Sequence, residues 1–347
     1  MKESTMSSSS SSRAPPALPC ALAVADAPSP SALALAALAP TAERARGYAR
    51  AGRATNTRRI YASRWRGFVA WCAARGVPSL PAAPEIVALY ITELADSGRA
   101  AATIELSLTA IAQAHALAGE ASPRGDVAVQ QVRAGIRRTI GTRAHGKAPL
   151  LAAAVRVAIA ALGEGAPPLA AARDRALVLV AWFGALRRSE LVALDVQHVR
   201  FVAEGLEVLL ERSKTDQEGA GRTVPLPRGR DPQTCPVRAL RAWLTAAAIT
   251  EGPIFRSLTR WGRLGPRLSG HAVAVVVKAA AEAAGVDPAT IGAHSTRIGL
   301  VTEAARQGRG EARIMKITGH TSVAMLRRYI RDAEQWRDVA SDGLLDV

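Results

Sequence analysis

Ile291-Gly-Ala-His294-Ser-Thr-Arg297, then Gly319-His320-Thr321, then Leu326-Arg-Arg-Tyr329-Ile-Arg331: the reading of this chain turns on these three pieces of one stretch. His294 and Arg297 stand three residues apart, a spacing that puts two side chains on one helix face and lets them address one small anion. Gly308 and Gly310 break the pattern, and Gly319 is placed to end the helix between them and His320. Thr321 or Ser322 can then cap a second helix carrying Met325, Leu326 and Tyr329.

Two imidazoles, a guanidinium and a phenol suit one chemistry. Arginine grips phosphate oxygens bidentately and keeps its charge. Histidine exchanges protons near neutral pH. A phenol, with a solution pKa of about 10, needs such neighbours to become a nucleophile. No carboxylate pair and no Cys/His metal set accompanies these residues, so phosphate charge falls to protein cations, and neither a metal nor another cofactor is expected. The residues read as metal-free attack on a phosphodiester by Tyr329. The plainer alternative is a helical DNA-binding tail in which Tyr329 only packs. With Tyr48, Tyr61 and Tyr90 as the other tyrosines of the chain, aromatic abundance does not account for it.

Joined in this order, H-x-x-R, G-H and a late Tyr resemble the second half of the active site of the tyrosine recombinase (phage integrase) family. Upstream, Gly184-Ala-Leu-Arg187-Arg-Ser-Glu190-Leu resembles the family's first motif, an Arg followed by x-S-E-L at a helix start. Taken on its residues, the Arg187/Glu190 pair is either a surface ion pair worth under ~1 kcal/mol or a phosphate-binding Arg positioned by a buried carboxylate. The apolar text on both sides, Val178 to Phe183 and Leu191, Val192 and Leu194, favours the second. Leu206, Val208 and Leu210 alternate as a strand, and Arg222-Thr-Val-Pro-Leu can return as its partner. Between them Ser213-Lys214-Thr-Asp-Gln is turn-rich and looks like a Cre-like version of the hairpin on which the family carries a catalytic Lys.

The rest of the chain supplies the setting. Over 347 residues, a net charge of +16 and a pI near 11 point to a polyanion, most simply nucleic acid. Cys20, Cys72 and Cys235 form no C-x-x-C, which argues against a zinc site or a disulfide framework and suits a reducing cytoplasm. The Ala/Leu run Ser31 to Ala39 is far short of the ~20 residues a membrane span needs, so no membrane partner is expected.

Residues 1–40, Ser-rich then Ala/Pro-rich, read as a disordered leader. Residues 41–141 read as a helical bundle. Its helices are capped by Thr55 or Asn56, opened by Pro84, run from Ala101 to Ala118, and start again at Asp126 with Val129, Val132, Ile136 and Ile140 inward. Arg58, Arg59, Arg64 and Arg66 crowd the first of these helices, and Arg133, Arg137 and Arg138 the last. Taken singly each is a solvated charge; taken as clusters they suit a phosphate backbone. The run Thr103 to Ile111, then His115, resembles the core-binding domain of Cre-like members. Residues 142–149 read as a linker and 150–347 as the larger domain, ending in a tail helix with Trp336, Val339, Ala340 and Leu344 at helical spacing. Trp261 to Arg267 reads as a basic loop.

The resemblance implies a mainly α fold: a helical core-binding (SAM-like) domain and an α-rich catalytic domain with a small antiparallel β-sheet. It implies a cytoplasmic, nucleoid-associated site-specific recombinase that cleaves and rejoins double-stranded DNA through a 3′-phosphotyrosyl link. In this comparison Arg187, Lys214, His294, Arg297, His320 and Tyr329 are catalytic and Glu190 supports them. The implied assembly is a homotetramer on DNA, one dimer per recombination site. Two rivals share the chemistry or the fold: a type IB topoisomerase and a non-enzymatic DNA-binding regulator.

Overall fold

The computed structural model describes residues 32–52, 54–143, 146–162, 167–211, 221–320 and 322–334. The chain divides into two compact units, Met1–His145 and Gly146–Val347.

The first unit is helical: α1 (Ala32–Ala51), α2 (Thr55–Ala73), α3 (Pro84–Asp96), α4 (Ala101–Ala118) and α5 (Val127–Ile140). Local signals place most of these ends. Pro84 opens α3, where its missing N–H costs nothing. Gly119, at φ 75°, closes α4 in the left-handed region. Asp126 caps α5, its carboxylate accepting from the Ala128 N–H at 2.8 Å. Phe68, Ile91, Leu108, Ile111 and Val129 are fully or almost fully buried and form the core.

Three expectations shift. Helix α2 starts at Thr55 behind Ala54, with no side-chain cap, so Thr55 and Asn56 lie inside it. Of the expected leader, residues 1–31 lie outside the described residues, whereas Ala32–Ala51 is helical. Its run of Ala and Leu has the strongest helix propensity available, against which stand Pro40 and Gly47. Ile140, in the last turn of α5, is 42 % exposed rather than inward.

The second unit opens with α6 (Ala152–Ala161) and α7 (Pro168–Phe183), then the short α8 (Arg188–Ala193). Strands β1 (Val199–Phe201), β2 (Gly205–Leu210) and β3 (Arg222–Pro227) form an antiparallel sheet in that order. Leu206 pairs with Leu226 and Val208 with Val224, and this alternate set is buried. Helix α9 (Pro236–Ala246) leads to a second hairpin, β4 (Arg256–Leu258) and β5 (Leu264–Arg267). The basic loop expected at Trp261 to Arg267 is therefore half turn and half strand. Arg267 within it binds Asp195 at 2.6 Å, and Arg256 on the partner strand β4 donates to the Gly265 carbonyl at 2.8 Å.

Helices α10 (Gly270–Ala283), α11 (Ser295–Arg306), α12 (Glu311–Thr318) and α13 (Val323–Glu334) complete the unit. The second half of α7 is apolar on every side because it is the buried centre; Ala176, Leu177, Val178, Leu179 and Val180 are all at 0 % exposure.

The expected linker, 142–149, is in part joined to this unit. Lys147 Nζ donates to the Ala289 carbonyl at 2.7 Å, and the Ala148 N–H to the Thr290 carbonyl at 2.9 Å. The Leu150 N–H donates to the Ser295 carbonyl, and the Trp182 indole to the Leu150 carbonyl, both at 2.9 Å. Three of these bonds sew the start of the unit to the chain entering α11, and the fourth ties it to α7. Among the described residues no helix is long and apolar enough to cross a membrane.

Candidate active site

Helix α7 ends at Gly184, and the turn to α8 passes through Ala185, a non-glycine residue at φ 46°. That left-handed conformation is costly for alanine. Here it accompanies a function: the Ala185 carbonyl accepts from Arg297 Nη1 at 2.6 Å. Arg187 follows as the residue before α8. Glu190, in the first turn, takes the Arg187 backbone N–H on one oxygen at 2.7 Å and the Arg187 guanidinium on the other at 2.6 Å. The Glu190 side chain is 1 % exposed and that of Arg187 14 %. This is the buried-carboxylate reading of the pair, not the surface one, and a carboxylate here also favours the positive end of α8.

Arg297, one turn into α11, is 1 % exposed. Its Nη2 donates to His320 Nε2 at 3.1 Å, while its Nε is buried without a partner. Burial first, and then Arg187, push its pKa down to about 10, with Glu190 opposing. It stays cationic at neutral pH, at a cost that an incoming anion would relieve.

The three-residue step from His294 to Arg297 is helical: the His294 backbone lies at φ −90°, ψ −12°, and its carbonyl accepts from the Ile298 N–H at 3.0 Å. His294 is the residue ahead of α11, in the turn that delivers the chain into the helix. Its Nε2 lies 3.5 Å from the Tyr329 hydroxyl. His320 follows Gly319, which ends α12 at φ 64° as its sequence position predicts. The two imidazoles flank the phenol, with ring centroids 6.3 Å and 6.2 Å from that of Tyr329. Burial, followed by Arg297, Arg187, His294 and Arg222, lowers the His320 pKa from 6.5 to about 4, so its ring is neutral.

One member of the site was not anticipated. Arg222, read only as the first residue of a returning strand, sends Nη1 to the Ile317 carbonyl at 2.6 Å and Nη2 toward the Thr318 carbonyl at 3.4 Å. The same Nη2 lies 3.8 Å from Glu190. Its guanidinium therefore caps the C-terminal end of α12, where carbonyls lack helical partners, and ties it to the carboxylate that holds Arg187. Burial pushes its pKa down and Arg187 lowers it further, while Glu190 raises it. Its position just after a turn is the one signal the sequence offers; its partners lie 95 and 96 residues away.

Three arginines and one carboxylate thus leave an excess of buried positive charge beside a phenol held between two imidazoles. Such an arrangement has the charge and donors to receive a tetrahedral anion, with a phenol oxygen beside it. Lys214 and the expected tail helix lie outside the described residues.

The arginines singled out in the first unit are held differently. Arg133 and Arg124 bind Glu105, and Arg137 lies 3.8 Å from it. Arg59 donates to Asn56 at 3.1 Å. Arg58 and Arg138 are exposed and Arg64 is half-buried.

Against known proteins, the pattern of the Phage integrase family matches residues 158–335. The "Integrase/recombinase xerD homolog" of Selenomonas ruminantium is 37 % identical over 292 residues, covering 83 % of this chain and 85 % of that one. "Recombinase cre" of Escherichia phage P1 is 25 % identical over 287 residues, covering 78 % and 82 %. Among solved structures, XerH bound to a palindromic difH substrate after cleavage aligns with a TM-score of 0.57 at 16 % identity, over 76 % of this chain and 71 % of that one. A lambda integrase dimer bound to a COC′ core site aligns with a TM-score of 0.53 at 18 % identity, over 85 % and 76 %. At these identities the structural likeness speaks for the fold.

Proposed function

The chain belongs to the phage integrase family, the tyrosine-type site-specific recombinases that cleave and rejoin DNA, and we propose that Tyr329 is its nucleophile, served by Arg187, Arg297, His294, His320 and Lys214. The observation that carries this is the convergence of residues far apart in sequence. The phenol of α13 meets the imidazole ahead of α11, and the α11 guanidinium meets the imidazole after α12.

In this reading Arg187 and Arg297 hold the non-bridging oxygens of the scissile phosphate, each guanidinium already fixed by Glu190 or by the Ala185 carbonyl. Fixed donors stabilise developing charge without reorganising, which is the largest effect available to such a site. Tyr329 oxygen attacks phosphorus in line, and its proton passes to His294 Nε2. Their 3.5 Å separation is longer than a working bond, as is common before substrate arrives. His320 adds a hydrogen bond to the same phosphate. The 5′ oxygen leaves with a proton from Lys214. Glu190 orients and does not react. The phosphotyrosyl link retains the phosphodiester's free energy, so a 5′ hydroxyl of another strand reverses the step without ATP.

XerH and lambda integrase were solved on DNA, the latter as a dimer. For this chain we infer the same use of duplex DNA, with a dimer on each recombination site and a homotetramer during exchange. The excess of 45 Lys and Arg over 29 Asp and Glu supports a nucleoid-bound, cytoplasmic protein. In the first unit, Arg58, Arg59, Arg64, Arg133, Arg137 and Arg138 are the proposed backbone contacts.

Tyr329→Phe is the decisive variant. On a nicked duplex that traps the cleaved state, the native chain yields a denaturant-resistant protein–DNA adduct. The variant binds the same duplex and yields none. An adduct from the variant would assign the nucleophile elsewhere.

A further inference from the structure

The mechanism leaves one buried hydroxyl of the site without a role. Thr318, the last residue of α12, is 0 % exposed. Its Oγ1 donates to the Ile314 carbonyl at 2.9 Å, one turn back, and lies 2.8 Å from His320 Nδ1. A hydroxyl has one proton. With that proton on Ile314, the hydrogen between Thr318 and His320 must come from the ring, so Nδ1 is protonated.

The other side of the ring agrees. Arg297 Nη2 donates to Nε2 at 3.1 Å, and an arginine can only donate, so Nε2 presents a lone pair. Two separate contacts select one neutral tautomer. The cationic ring, with protons on both nitrogens, would face Arg297 with like charge and no acceptor.

This tautomer is unsuited to phosphate. An anionic oxygen in front of Nε2 needs an N–H there, and the Arg297 Nη2 that now faces Nε2 then donates to that oxygen instead, with Nη1 still held by the Ala185 carbonyl. We propose that Thr318 is a positioning residue that lets His320 exchange tautomers. It accepts from Nδ1–H while Arg297 occupies Nε2, and turns its own proton onto Nδ1 when a phosphate oxygen replaces Arg297. In the exchange one proton leaves Nδ1 for solvent and one joins Nε2 from solvent, so the ring stays uncharged throughout. A hydroxyl alone among small side chains both accepts and donates at one atom. Arg222, gripping the Ile317 and Thr318 carbonyls, holds this helix end in place so that the hydroxyl stays in register with the ring.

The proposal rests on the reading of His320 as a phosphate ligand, and its test separates the two. The first measurement is the long-range imidazole 1H–15N spectrum of the free protein near pH 7, with His320 identified by its loss in His320→Gln. Nδ1 of His320 should show the protonated shift and Nε2 the lone-pair shift; a proton on Nε2 overturns the proposal. Thr318→Val, which keeps the shape and removes the hydroxyl, should lose the Nδ1–H signature, and Thr318→Ser should keep it. On a nicked duplex carrying the protein's own recombination site, Thr318→Val should form the adduct at least ~10-fold more slowly, short of the ~10²-fold or more that loss of a direct oxyanion donor costs. Half-site binding should be unchanged, and Thr318→Ser should stay within about twofold of the native rate, as loss of a methyl at an intact hydrogen bond allows. A Ser variant as slow as the Val variant would show that packing, not the hydroxyl, matters; a Val variant at native rate would show that neither does. If the native chain forms no adduct on that duplex, the recombinase reading falls while the tautomer measurement still stands.

Discussion

Both units of this molecule gather arginines, and they hold them in opposite ways. In the second unit Arg187, Arg222 and Arg297 are withdrawn from solvent and locked by a carboxylate or by main-chain carbonyls before any ligand arrives. In the first unit Arg138 projects into solvent, while Arg124, Arg133 and Arg137 gather around Glu105 at the partly exposed surface. A locked guanidinium has already met its desolvation and ordering costs, so its interaction with a transition state is gained nearly whole. A mobile one exchanges water and counterions for phosphate, and what it contributes is affinity that salt removes. On the proposed reading the same residue type serves chemistry in one place and attachment in the other. What holds the side chain decides which.

The contrast is broken most severely at Arg297. Lysine carries the charge but has no planar fork to span the Ala185 carbonyl and His320. Arg297→Lys should therefore slow adduct formation by about 10²- to 10³-fold, the cost of one pre-placed donor, with half-site binding by gel shift within a few-fold of native. Activity within tenfold of native would mean that charge alone suffices and that locking is incidental.

A smaller effect tests the electrostatics of the locked cluster through pH. His320 holds its proton only below about 4 in the folded protein, against 6.5 for an ordinary histidine. Below 6.5 the unfolded chain takes up a proton that the folded one refuses. The contribution of a neutral His320 is thus complete above that pH and is lost as pH falls toward 4. Urea unfolding of the native protein and of His320→Gln, followed from pH 7.5 downward, should show the native protein losing ground across that window. A constant difference between the two would place His320 at its ordinary value and remove the field ascribed to the arginines.

The mildest changes should come from the first unit, and they divide its arginines. Arg138→Ala should weaken DNA binding only a few-fold, for any sequence, and reduce the slope of log affinity against log salt by about 1. Arg133→Ala, which strips a partner from Glu105, should instead lower the stability of the unit by about 1 kcal/mol and leave that slope nearly unchanged. Equal salt slopes for the two variants would erase the distinction between free and engaged charges within this unit.

Much of this was legible beforehand because its causes are local. Pro84, the run from Ala101 to Ala118 and Asp126 mark helix ends through the geometry of neighbouring residues, and the helices begin or end there. Gly319 likewise ends α12 in the conformation that favours glycine. Arg187 with Glu190, and Arg297, His320 and Tyr329, stand in motifs dense enough to be recognised, and the structure brings them together. What escaped the sequence depends on distance. Strands β1 and β4 are three residues each, too short to build an alternation that can be told from a loop. The chain entering α11 is bound by Lys147, Ala148 and Leu150, far away in sequence, which no spacing rule within the motif could reveal. Arg222 owes its place to carbonyls 95 and 96 residues away and in isolation is a strand residue; the partners of Thr318 are local, but its hydroxyl gains meaning only from the Arg297 that faces the other side of His320.

The sewing of residues 147–150 onto the loop before α11 has a mechanical consequence. The peptide that connects the two units is also the backing of the loop that carries His294; the last of its bonds ends on Ser295, the next residue. Load applied along the connector is delivered there within a few peptide units, with no intervening flexible segment between residue 147 and the loop to absorb it. The chain's own covalent path is thus a short lever arm, and whatever strains it bears directly on the seat of His294, the proposed proton acceptor.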